Sequence, residues 1–429
     1  MTEVHTERLA NGLTTVLVPM PASHQVLVSL MVRAGSRMDP PHQAGISHFV
    51  EHLLFRGNAS YPDSASLFES FERAGEVLNA QTGVEYTEYY QVVHPDLMPE
   101  CLSSLAAFIR TPRFADVDKE RQIILDEILY DYNEQGEMIR LDSIAAELLW
   151  PGHSLAQSIT GTRDSVAGFT AESVRAHYAA HYRPGNIVLA MAGKLDVARV
   201  LDCVRRGFGD WNASGNGGLA LAPPRPNLNL AAPALRTVQD ADNQLRLQLS
   251  FPVEGYRSDR EIPLGLIASI LDDGPNSRLQ KTIREELALV YYIGCGYTAF
   301  CDAGQIDITT AVSRDRLEDL MAALVPLLRE FREQGVTETE LEAARRRYRF
   351  DLEFSRDSLD AALDRHAWCL LYSTVRGEEE EWARVRALTA PALSALAREV
   401  LLPGRLHVAA VGPVDDEVRR LLRSWLDRY

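Results

Sequence analysis

Residues 25–34 and 243–251 alternate apolar and polar side chains with a period of two, the pattern of strands laid against a core. Over 46–55, 64–74, 98–109, 117–129, 170–182, 315–334 and 337–355 the apolar spacing changes to three and four, which predicts helices with one buried face. The order of elements repeats. Asn186-Ile-Val-Leu-Ala-Met-Ala-Gly193-Lys-Leu-Asp196 leads into a helical pattern, and so does Arg405-Leu-His-Val-Ala-Ala-Val-Gly412-Pro-Val-Asp415. The glycine turn and the Asp helix cap recur at one offset, 219 residues. Between the halves, 212–233 holds Gly215, Gly217, Gly218, Pro223, Pro224, Pro226 and Pro233, a density of breakers that helices and strands do not tolerate. The expected organisation is a duplicated α+β fold: a domain over 1–212, a Gly/Pro-rich linker over 213–233 and a homologous domain over 234–429, each a mainly antiparallel sheet covered by helices.

Composition narrows the partners. The chain has 429 residues, 46% hydrophobic and 24% charged, ordinary for a globular protein of two or three domains, and no apolar run approaches the length of a membrane span. Lys and Arg total 44 against 60 Asp and Glu, and the net charge of −16 disfavours nucleic acid. The opening 1–21 carries Glu3 and Glu7 and lacks the basic start and apolar stretch of a secretory signal, so a cytoplasmic location is expected. The five cysteines are scattered, without a C-x-x-C pair, and read as reduced thiols. The acidic run 378–381 reads as a solvated helix start.

The chemistry concentrates in His48-Phe-Val-Glu51-His52, inside a stretch free of Gly and Pro. Four residues on a helix is about 40° past a full turn, so His48 and His52 project from one face and can grip one ion. Glu51 lies about 60° to the other side of His48, beside the same site, where an unligated carboxylate can accept a proton from water. A zinc site needs a third protein ligand. Glu120 and Glu127 stand seven residues apart, two turns, on one face of the predicted helix 117–129, and either carboxylate could serve. Ile123, Ile124 and Ile128 flank that face and predict that it is buried, where a carboxylate needs a partner.

His48-Phe-Val-Glu-His52, with a Glu 75 residues after the second His, resembles the inverted zinc motif of the M16 family, the pitrilysin, insulin-degrading and mitochondrial processing peptidases. Phe55-Arg-Gly57, Tyr61-Pro62, Leu78-Asn79-Ala80-Gln81-Thr82, Glu120-Arg121, Glu127-Ile128, Leu155, Gly161-Thr162 and Tyr182-Arg-Pro184-Gly-Asn186 follow in that family's order, so the resemblance covers essentially the whole chain. It implies His48, His52 and Glu127 as zinc ligands, Glu51 as general base, and Glu120 as a carboxylate orienting the site from behind. It also implies a sheet edge at Asn79 and Ala80 on which a peptide adds as one more strand. The second half lacks the motif. There, Ser277-Arg278-Leu279 and Arg284-Glu-Glu-Leu-Ala288-Leu-Val-Tyr291 resemble the family's C-terminal signature, whose Arg and Tyr contact substrate, so Arg284 and Tyr291 are expected to hold the developing oxyanion. Ala288 stands where that signature usually has glycine.

The resemblance is to the short-subunit branch, and it implies a zinc endopeptidase acting on peptides in a chamber that two subunits enclose, as a homodimer or with a related chain. Two alternatives follow from the same branch: the catalytic subunit of a heterodimeric peptide maturase with an inactive M16 partner, and a non-catalytic assembly subunit. The intact metal motif disfavours the last.

Overall fold

The structure is a computed structural model that describes residues 4–211, 225–228, 232–372 and 376–429. Most of the expected linker, 212–224 and 229–231, lies outside the described residues. The chain forms two compact units. One comprises the chain up to Leu129, the stretch that starts at Gln157 and another that starts at Glu353; the other takes Tyr130–Ala156, the run that ends at Leu352, and Arg376–Tyr429.

In the first unit six strands, β1 (His5–Arg8), β2 (Thr14–Pro19), β3 (Val26–Val32), β4 (Asn79–Thr82), β5 (Thr87–Val93) and β6 (Ile187–Gly193), lie in the order β1-β2-β6-β3-β5-β4. β3 and β6 are buried throughout, which is why Val-Leu-Val-Ser-Leu-Met-Val and Ile-Val-Leu-Ala-Met-Ala-Gly read as nearly continuous apolar runs. β2 pairs with β6 in parallel and the other pairs are antiparallel.

The second unit holds β7 (Ala234–Gln239), β8 (Leu245–Val253), β9 (Ile293–Ala299), β10 (Gly304–Val312) and β11 (His407–Gly412) in the order β7-β11-β8-β10-β9. This repeats the first sheet from β2 to β4, down to the one parallel pair, β7 with β11. The recurring glycine turn has a steric cause: Gly193 and Gly412 have φ of +136° and +138°, and an added Cβ would collide with the carbonyls of Gln25 and Gln244. Asp196 and Asp415 then cap their helices, accepting from the amides of Arg199 at 3.1 Å and Val418 at 2.9 Å.

Each unit takes one piece from the other half of the sequence. The helix Leu141–Leu149 packs on β8 and β11 of the second unit, with Ile144 and Ala145 buried against Val238, Ala409 and Val411. The helix Leu359–Leu363 packs on β3 and β6 of the first. Their amphipathic patterns say that one face is buried and leave open against which sheet.

Candidate metal centre

The helix Ile46–Leu54 is seated by Phe49, Val50, Leu53 and Leu54, all fully buried, each contributing about 1.5–3 kcal/mol of burial energy. Its start has no side-chain cap of its own. Gly45 precedes it at φ +89°, with its Cα so close to the next loop that a Cβ would sit 2.6 Å from the Thr160 carbonyl. The cap comes from a distance: buried Asp39 accepts from the Gly45 amide at 2.9 Å and from the Ser47 hydroxyl at 2.6 Å, and Ser47 Oγ meets His177 Nε2 at 3.0 Å. Burial pushes the Asp39 carboxyl up to about 7, against the hydrogen bonds from Ser47 and the helix amides.

On this helix the nitrogens Nε2 of His48 and Nε2 of His52 approach to 3.2 Å. The helix Val117–Ile128 crosses nearby and sets Glu127 oxygens 3.8 Å from each of them. Ligands at about 2.0–2.1 Å from a tetrahedral zinc stand about 3.3 Å from one another, so the three groups have the spacing of a slightly relaxed metal site. His52 Nδ1 faces Glu120 at 2.8 Å and Glu120 also accepts from Arg56, which holds the ring with its Nε2 toward His48 and Glu127. His48 Nδ1, by contrast, is buried without a hydrogen-bond partner among the described residues.

The electrostatics favour a cation. Burial pushes His48 down to about 3, helped by the neighbouring His52 and opposed by Glu120, so it offers a neutral imidazole. Burial also opposes charge on His52, but the Glu120 hydrogen bond and the carboxylates of Glu51 and Glu127 outweigh it and hold its pKa above the ordinary value. Glu51, 9% exposed, has its carboxyl raised by burial and by Glu127, against a hydrogen bond from Thr82 and the charge of His52. Burial would raise Glu120 as well, yet His52 and Arg56 hold it below the usual range. Two imidazole nitrogens and a carboxylate facing one point are the donor set that suits zinc.

Of the two glutamates left open by spacing, Glu127 joins the histidines and Glu120 lies behind His52. The face they share is less buried than its isoleucines predict: Ile124 and Ile128 are buried and Glu120 is 3% exposed, but Ile123 is 40% exposed and the Glu127 side chain 42%. Asn79 and Ala80 lie on β4, the edge strand of the first sheet. Arg284 and Tyr291 lie in the second unit. Arg284 sits on a π-helical turn, Gln280–Glu286, 3.4 Å from Gln280 Oε1 and 3.9 Å from Glu285. Tyr291 is 89% exposed, so it is not a core residue. Ala288 between them adopts φ +47°, the left-handed conformation for which glycine is the usual choice.

Pattern reading missed three residues. Arg56 and Thr82 stand inside the quoted Phe55-Arg-Gly57 and Asn79-Ala80-Gln81-Thr82 but carry no spacing signal of their own. Asp39 is nine residues from His48, and nothing local marks it as the helix cap.

Comparison with known proteins points to one family. Residues 14–163 match the model of "Insulinase (Peptidase family M16)" and residues 168–348 that of "Peptidase M16 inactive domain". An uncharacterized zinc protease of Mycobacterium leprae is 28% identical over 410 residues, 94% of this chain and 91% of the relative. A protease of Helicobacter pylori has the same fold, with a TM-score of 0.89 and 17% identity over 96% of this chain and 100% of that one. The periplasmic protease PqqL of Escherichia coli matches with a TM-score of 0.80 and 18% identity, all of this chain corresponding to 50% of PqqL. With consecutive matches to two M16 models over 14–163 and 168–348, the first of which contains the helix that carries His48, Glu51 and His52, the chain belongs to the M16 peptidase family.

Proposed function

We propose that the protein is a zinc-dependent endopeptidase that hydrolyses unfolded peptides. The observation that carries the reading is the convergence of His48 Nε2, His52 Nε2 and the Glu127 carboxylate beside an unligated Glu51. His48, His52 and Glu127 would hold the ion, and Glu120 fixes the orientation of His52. Zinc held there supplies Lewis acidity toward water and toward the scissile carbonyl. Glu51 takes a proton from the attacking water and returns it to the leaving amine, a task for which its raised pKa suits it. The peptide backbone pairs with the free edge of β4 at Asn79 and Ala80, so recognition depends little on side chains. Arg284 and Tyr291 serve the oxyanion.

The match to half of PqqL supports a pairing of two such chains, as a homodimer or with a related subunit, to complete an enclosure for substrate. The inactive-domain match over 168–348, which includes Arg284 and Tyr291, is compatible with a division of labour between domains.

Separating metal from base tests the proposal. Glu51→Gln is expected to abolish peptide hydrolysis and keep stoichiometric zinc, whereas His52→Ala is expected to lose both, with metal content read by atomic emission. A folded Glu51→Gln protein that has lost its zinc, or one that still cleaves peptides, refutes the assigned roles.

A further inference from the structure

We infer that Thr82 is a positioning residue for Glu51, holding the carboxylate by Oε2 so that Oε1 stays free to exchange the proton. The inference rests on the reading of Glu51 as general base and extends it to a residue on a different element.

Glu51 is carried by a well-seated helix, but its carboxylate turns about its own side-chain bonds, and helix geometry does not fix where the two oxygens point. Among the described residues, the hydrogen bond that reaches this carboxylate comes from Thr82 Oγ1, which donates to Oε2. No hydrogen bond from the described residues reaches Oε1.

The donor is rigidly held. Thr82 ends β4 and pairs with Thr87 of β5, whose own hydroxyl donates to the Ala34 carbonyl at 2.9 Å. Side chains along a strand alternate, so Ala80 and Thr82 point to one face and Asn79 and Gln81 to the other. On that other face, Gln81 donates to Glu88 Oε2 at 2.7 Å and ties the strand down. Threonine is branched at Cβ and therefore stiff at χ1, so the strand position sets the position of the hydroxyl. The same short strand thus offers its free edge to a peptide and its inner face to the base.

An ordinary strand residue would matter through stability or substrate affinity; a positioning residue matters through turnover. Thr82→Val keeps the shape and the strand propensity and removes the O–H donor. It is expected to lower kcat by about 10- to 100-fold, with KM within about threefold of wild type and zinc content unchanged. Thr82→Ser restores the donor and is expected to recover kcat to within about threefold. A crystal structure of the Val variant should have the Glu51 carboxylate rotated from its wild-type setting. The inference is overturned if Thr82→Val turns over at the wild-type rate, if Ser and Val are equally impaired, or if KM rises while kcat is unchanged. Glu51→Gln in the same assay separates the two levels: if it is inactive while Thr82→Val is fully active, only the role of Thr82 fails, and if it is active, the base assignment fails and the role of Thr82 with it.

Discussion

The helices Ile46–Leu54 and Glu261–Leu271 each pack on the edge strand of a sheet with the same strand order, β4 in the first unit and β9 in the second. One carries His48, Glu51 and His52; the other reads Glu261-Ile-Pro-Leu-Gly-Leu-Ile-Ala-Ser-Ile-Leu271, with no histidine and its only carboxylate at the start. The neighbouring helices carry the contrast further. Val117–Ile128 and Glu338–Phe354 each present a glutamate paired to an arginine, Glu120 with Arg56 and Glu340 with Arg278. Seven residues on stands Glu127 in the first helix and Arg347 in the second, and Arg347 pairs with Asp273. At that spacing the second helix carries a guanidinium where the first carries the carboxylate that faces the histidines. The second unit builds the same strand order without this set of donors, so the candidate metal site is a local feature of the first unit's helices.

The sharpest test imports one arrangement into the other. Glu127→Arg should give a folded protein that binds no stoichiometric zinc and has lost hydrolysis by about 10³-fold or more, because a cation replaces a ligand. Retained zinc at full stoichiometry would exclude Glu127 from the ligand set.

A paired substitution asks whether the two Arg-bound glutamates do the same job. Glu120→Gln removes the acceptor behind His52 and is expected to weaken zinc affinity by about 10- to 100-fold in competition with a chelator. Glu340→Gln should leave zinc affinity unchanged and cost about 1–3 kcal/mol in denaturant unfolding, because it breaks the two-pronged contact with Arg278. Burial alone would raise the Glu340 pKa, but the hydrogen bonds from Arg278 and Thr337 outweigh it and hold the group below its ordinary value. Its contribution is therefore present above the unfolded carboxylate pKa and disappears as pH falls through the folded one, so the difference between wild type and Glu340→Gln should shrink in acid. A gap that widens toward low pH would contradict that sign, and equal effects on zinc would make the two glutamates equivalent.

The smallest effect concerns Ala288. At φ +47° a Cβ is crowded, so Ala288→Gly should stabilise the protein by up to about 1 kcal/mol despite the greater freedom of glycine in the unfolded chain. Destabilisation in thermal unfolding would mean that the Cβ contributes packing that outweighs its strain.

What could be read in the chain was what depends on near neighbours. Four residues put His48 and His52 on one helix face, seven put Glu120 and Glu127 on another, and the 219-residue offset of Gly193 and Asp196 from Gly412 and Asp415 announced the duplication. Helix bounds came close: 337–355 against Glu338–Phe354, and 315–334 against Leu317–Gln334. Periodicity reports a side chain's direction about its own axis, and that is fixed by backbone geometry alone.

Only the tertiary structure decided the rest. Which glutamate meets the histidines depends on how the Val117–Ile128 helix crosses the Ile46–Leu54 helix, and the 3.8 Å approach of Glu127 was absent from the spacing, which fits Glu120 equally well. The hydroxyl of Thr82 reaches Glu51 across 31 residues of sequence, and Asp39 caps a helix it does not precede directly. The helices Leu141–Leu149 and Leu359–Leu363 join the unit opposite to their half of the chain because an amphipathic stripe requires an apolar surface but does not specify which one. Local spacing determined the chemistry that could be done, and long-range packing, driven by burial that is indifferent to sequence distance, determined which side chains meet to do it.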